Sequence, residues 1–236
     1  MIINHSTIYF MNKKIFLVAS VATITFLSSC LTSLHNLVTY STVTRDNRIA
    51  GNWQHDNMII KIEPVPTSSF LKNISSAKVN GEEKKSNYDS KEDSLLYSNG
   101  YIMDFSKNNY RYYMVCCLTR IGNNLYADMQ PLIAGPMNKP NATDDENLFS
   151  GGNYMTTHSI ARLVVRENEL QLSVLNDDFI KDQLNKGSAA IRYEKDDLFG
   201  TVLITASSTE LRQFLAKYGN DERLYSSKNT ITLKKT

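Results

Sequence analysis

The stretch from Ile160 to Val174 restricts the fold of this chain more than any other. Ile160 to Arg166 is apolar and β-branched, Glu167-Asn168 interrupts it, and Leu170, Leu172 and Val174 then alternate with Gln171 and Ser173. Apolar residues two apart line one face of a strand, so this segment reads as two strands and a tight turn with a single buried face. A second reversal precedes it. Tyr101 to Phe105 and Tyr110 to Thr119 are rich in aromatic and β-branched residues, and Arg120-Ile121-Gly122-Asn123-Asn124 leads into Leu125 to Met129. Glycine and asparagine supply the positive φ angles of a hairpin turn.

Other strand signals flank these. Ile49-Ala50-Gly51-Asn52-Trp53 opens the domain near Arg48 and is followed by Met58 to Ile62, ended by Pro64 and Pro66. Residues 68–100 are polar and charge-mixed, with Gly81 to Asn87 least hydrophobic, and read as an exposed insert or as polar edge strands around Gly81. Pro131 to Gly152 reads as another loop. Asn176-Asp177-Asp178 caps a short helix carrying Phe179, Ile180 and Leu184, with Gly187 stopping it. Strands near Ala190 to Glu194 and Thr201 to Thr205 follow. Ser207 and Glu210 have capping-box spacing, and Leu211, Phe214, Leu215 and Tyr218 recur at helical intervals before Gly219. Ile231 to Leu233 closes the sheet. The sum is a mainly β domain, an antiparallel curled sheet or barrel-like structure with two short helices in its C-terminal half.

The N-terminal segment has a different purpose. From Met11 the chain reads Met-Asn-Lys-Lys, then the 13 apolar-rich residues Ile15 to Leu27, then Ser28-Ser29-Cys30. A basic start, a short apolar run and small residues before a cut are the parts of an export signal, and the run falls short of the roughly 20 residues that span a bilayer. Leu27-Ser28-Ser29-Cys30 resembles the lipobox of bacterial lipoproteins. The resemblance implies cleavage between Ser29 and Cys30, a diacylglyceryl group on the Cys30 thiol, and anchorage to membrane lipid. Residues 1–10 add nothing to this address, so translation is expected to start at Met11.

With residues 1–29 removed, Lys13 and Lys14 go with them and 24 basic residues balance 24 acidic ones. A neutral chain without Lys/Arg clusters lacks the charge that phosphate backbones require, which sets nucleic acid aside as a partner. Residues 30–47 are expected to be the lipidated cysteine and a flexible tether, and 48–236 a single domain.

The Arg48-Ile49-Ala50-Gly51-Asn52-Trp53 start resembles the Gly-x-Trp opening of lipocalins, in which the tryptophan helps close the bottom of the barrel. That start, the lipobox, the Arg120 to Asn123 turn and the run Leu203 to Tyr218 are together similar to a family of uncharacterised Bacteroidota lipoproteins. The resemblance implies fold and address and carries no activity. The chain departs from lipocalins in lacking a Thr-Asp-Tyr motif and in placing two helices, with a strand between them, before the last strand.

Candidate chemistry is sparse. Cys116 and Cys117 are adjacent on a strand and face opposite sides, as two buried apolar residues, a redox pair or an intermolecular bridge. His55 and His158 come without a nucleophile motif or metal spacing and read as ordinary surface or strand-edge histidines, while His35 lies in the tether. Asp144-Asp145-Glu146 lacks the alternation of a calcium loop. No cofactor or metal is implied. Trp53, Tyr110, Tyr112 and Tyr113 are the candidate ligand contacts, with ordinary packing as the competing reading.

Three functional readings are open. The first is a non-catalytic envelope module binding a small apolar ligand or an envelope protein. The second is a hydrolase or thiol-redox enzyme with a non-local site, and the third a structural module without a pocket. The residues after Cys30 carry no acidic sorting signal, so the expected location is the outer membrane, facing the periplasm.

Overall fold

The computed structural model describes residues 32–70, 91–136, 157–187, 191–195 and 202–236. Eight strands follow one another up and down: β3 (Gly51–His55), β4 (Met58–Pro64), β5 (Tyr101–Lys107), β6 (Tyr110–Ile121), β7 (Asn124–Pro136), β8 (His158–Val165), β9 (Glu169–Leu175) and β12 (Tyr225–Lys235). Each pairs antiparallel with the next, and β12 returns to β3 through Lys234 opposite Gln54. The sheet is therefore a closed eight-stranded antiparallel barrel, which satisfies backbone groups that an open sheet leaves at its edges.

Alternation along the strands sorts side chains between two cores. Trp53, Ile60, Ile62, Tyr101, Met103, Met114, Cys116, Leu118, Leu125, Ala127, Met129, Ala161, Leu163, Leu170, Leu172 and Leu233 fill the barrel with Ile49. Their sequence neighbours on β6 to β9, among them Cys117, Tyr126, Ile160 and Leu175, face outward. An outward apolar wall needs a cover, and the chain between β9 and β12 supplies it. That insertion holds α2 (Asp177–Asn185), β10 (Tyr193–Lys195), β11 (Val202–Ile204) and α3 (Ser208–Tyr218). It presses Phe179, Ile180, Ile204, Leu211, Phe214 and Leu215 onto the wall.

The helix boundaries follow the capping residues. Asn176 caps α2 by accepting from the Asp178 N–H. Ser207 and Glu210 form the full reciprocal box at α3. Gly219, just past α3, is required for space: a Cβ there would stand 2.3 Å from the Tyr126 hydroxyl and 2.4 Å from the Leu215 carbonyl.

Three expectations are corrected. Residues 32–47 are a packed strap, not a flexible tether, and the folded domain begins before Arg48. β1 (Thr32–Ser33) is wedged between β8 and β11, β2 (Val43–Thr44) pairs with β6, and Leu37 and Val38 are buried in the outer core. The polar composition concealed this because only a few apolar residues are used and their partners lie far along the chain. The insert expected at 68–100 is not wholly exposed. Ser68 is buried, and α1 (Lys91–Ser98), a third helix, lays Leu96 and Tyr97 on the outer wall; Gly81 lies outside the described residues. Finally, Pro131 lies in β7 and not in a loop. A bulge between Tyr113 and Met114 lets Pro131 face Met114 without breaking the ladder.

Candidate functional site

The expected tyrosine cluster is dispersed by the pleat of β6. Tyr110 is exposed at its first residue. Tyr112 points inward beside Phe105, with ring centroids 5.9 Å apart. Tyr113 points outward and stacks on Phe70 at 4.0 Å. The pleat therefore sets Tyr113 on the opposite face from Tyr110 and Tyr112. Tyr101 is wholly buried, its hydroxyl accepting from the Asp46 N–H at 3.0 Å.

Trp53 is packed inside the barrel. It has no exposed area, its indole N–H donates to the Ile49 carbonyl at 2.8 Å, and the Lys235 ammonium stands 5.5 Å from its ring. A short 3-10 turn, Asn47–Ile49, leads the chain in at this end of the barrel. In the same register row as Trp53, through Ile60, the inward-facing Phe105 and Tyr112 are only partly buried, as is Met58 beside the turn after His55. The barrel interior is thus closed around Trp53 and incompletely buried at Met58, Phe105 and Tyr112.

A second feature lies on the outside of the wall, and sequence reasoning missed it. Asp128 faces outward from β7 with 5% of its surface exposed. Its Oδ2 accepts the backbone N–H groups of Leu37 at 2.6 Å and Val38 at 3.2 Å, and its Oδ1 lies 2.7 Å from Nδ1 of His158. A carboxylate that accepts on both oxygens requires the proton to sit on Nδ1 of the imidazole. His158, expected at a strand edge, does stand at the start of β8, but with only 15% of its side chain exposed.

Beside this pair opens a pocket of ≈ 240 Å³ lined by Asn36 and Val38 of the strap, Leu96 and Tyr97 of α1, and Val115, Cys117, Asp128, Gln130 and His158 of the wall. The one available signal was Asp128 itself, an acid inside the apolar run Leu125 to Met129.

The cysteines divide as the pleat requires, Cys116 inside the barrel and Cys117 on the wall, both as buried free thiols. Burial pushes the Cys117 thiol up to about 12, with the Asp128 charge adding to the effect, and burial raises Cys116 well above its ordinary range. Thiols held in this form are poor nucleophiles, which gives the redox reading no support. His55 sits on β3 with Nδ1 2.9 Å from the Thr232 carbonyl, away from the pocket. Among the described residues no three His, Cys, Asp or Glu side chains converge as a metal site, and no helix is long and apolar enough to cross a membrane. Cys30, Ser29, His5 and Asp144 to Glu146 lie outside the described residues.

Comparison with protein families, with characterised proteins and with solved structures gives no match.

Proposed function

We propose that this protein is a lipid-anchored component of a bacterial cell envelope, held to the outer membrane through Cys30 and facing the periplasm. Its barrel serves as a non-catalytic binding module for a small apolar molecule. The observation that carries the binding reading is the uneven burial of the barrel interior: Trp53 and Ile49 have no exposed area, while Met58, Phe105 and Tyr112 in the same core are only partly buried. Apolar side chains left short of full burial inside a barrel offer surface that a ligand can remove from water, at about 25 cal/mol per Å². The Gly51-Asn52-Trp53 start is in keeping with a lipocalin-like cup. The anchor reading rests on the lipobox.

Two measurements test the proposal separately. Cys30→Ala moves the protein from the membrane to the soluble fraction if the anchor is real; unchanged membrane association would rule it out. For binding, a fluorescent fatty acid is titrated into the detergent-solubilised protein. Saturable binding that Phe105→Asp weakens at least tenfold, without loss of the folded circular-dichroism spectrum, is the expected result. Absence of saturable binding would leave the barrel as a filled structural module.

A further inference from the structure

The wall pocket lies outside the barrel, separate from its interior. Its polar equipment is unusual in being almost wholly committed. Asp128 has both oxygens occupied, Oδ2 by two backbone N–H groups and Oδ1 by His158. The Asn36 amide N–H₂ donates to the Val38 carbonyl, and its oxygen is 3.4 Å from the Ser208 hydroxyl. Two side-chain functions are left over: Nε2 of His158 and the amide of Gln130, neither with a hydrogen-bond partner among the described residues. They lie on neighbouring strands, since Met129 faces Ser159 and the register carries Gln130 toward His158. Of the remaining lining, Val38, Leu96, Val115 and Cys117 are apolar and Tyr97 adds an aromatic ring.

We propose that this pocket binds a small neutral molecule bearing an amide-type edge, an N–H beside a C=O, with a compact apolar body. In the tautomer that donates Nδ1–H to Asp128, the imidazole presents Nε2 as an acceptor, which suits the ligand N–H. The Gln130 amide donates to the ligand carbonyl. Charged ligands are disfavoured on both sides. Among the described residues no Lys or Arg lines the pocket to neutralise an anion, and the neighbouring Asp128 repels one. A cation would find the only carboxylate among the described lining residues with each oxygen already accepting hydrogen bonds. At ~30 Å³ per water, the volume holds about eight waters, which sets a ligand of similar heavy-atom count. Caprolactam and hexanamide meet these terms.

The test is a titration of the detergent-solubilised protein, labelled with ¹⁵N-histidine, with caprolactam, hexanamide, hexanoate and hexylammonium. The expected result is saturable movement of the His158 Nε2 resonance with the two amides, at least tenfold weaker binding of the two ions, and little change at His55. Val115→Phe, which fills the pocket with an apolar ring, is expected to abolish the amide response, and His158→Gln to weaken it. Hexanoate binding as tightly as hexanamide, or amides that move other resonances and leave His158 still, would overturn the proposal. The fatty-acid titration reports on Phe105 and Tyr112 instead, so the two sites fail or succeed independently.

Discussion

Asp128 holds the backbone N–H of Leu37 at 2.6 Å across 91 residues of sequence. This bond, the 3.2 Å bond from Val38 and the His158 contact fasten the N-terminal strap to the barrel wall. Asp128→Ala would leave two buried N–H groups and an imidazole without their acceptor. Each unsatisfied buried donor costs ~1–3 kcal/mol, so a loss of about 3 kcal/mol in unfolding free energy is expected, measured by urea denaturation. Hydrogen exchange should show the Leu37 and Val38 amides opening far more readily in the variant. Unchanged protection there would contradict the fastening role.

Gly219 has an ordinary φ of −63°, so the demand on it is steric and not conformational. Gly219→Ala would drive a methyl into the Tyr126 hydroxyl, which bonds Tyr225 at 2.8 Å, and into the end of α3. Overpacking of this kind costs ~1–3 kcal/mol. The thermal midpoint is expected to fall by several degrees, whereas a midpoint at or above that of the wild type would show that the helix end can shift at no cost.

The thiols give a test that also reports on the anchor. With Cys117 pushed up to about 12 by burial, and Cys116 higher than usual for the same reason, neither presents thiolate near neutral pH. The folded protein should react with a disulfide reagent over hours or longer, and two equivalents should react promptly after denaturation. A third, fast equivalent in the folded state would come from an unmodified Cys30.

Acid should loosen the cap of α3 in a defined window. The Arg192 guanidinium, with help from the Ser207 hydroxyl and N–H, holds the Glu210 carboxyl down at about 2 against an ordinary 4.5. A depressed folded value means that the stabilisation is complete above 4.5 and is lost as the pH falls from there toward 2. Glu210→Gln keeps a side chain that accepts the Ser207 N–H but removes the titration, so stability should depend less steeply on pH across that window. The same slope in both proteins would show that Glu210 does not contribute to it. Glu210 is a solvent-accessible group, so the effect is expected to be small.

What the sequence revealed was what its local periodicity encodes. The alternation of Leu170, Leu172 and Val174, the Gly122 turn and the Ser207–Glu210 box depend on neighbours within a few residues, and each stands where the pattern placed it. The barrel closure is less local, because Lys234 must meet Gln54, but eight strands in simple succession leave few other arrangements. The strap was illegible for a physical reason. β1 and β2 are two residues long, too short to show a period, and they are strands only because β8, β11 and β6 provide partners. The wall pocket was hidden in the same way. His158 looks unremarkable until β7 brings Asp128 beside it, and Gln130 until α1 covers the wall.

The position of β1 has a kinetic consequence. Thr32 lies between Ser159 and Leu203, so β1 is an interior strand whose two neighbours are made much later. Closing so long a loop precedes any gain from the contacts it creates, and such pairings form slowly. Until β11 has appeared, Leu37 and Val38 have only part of their cover, and the segment behaves as unfolded chain. Folding of this protein should therefore be a late event relative to synthesis, with the strap docking last and its release the first step of unfolding.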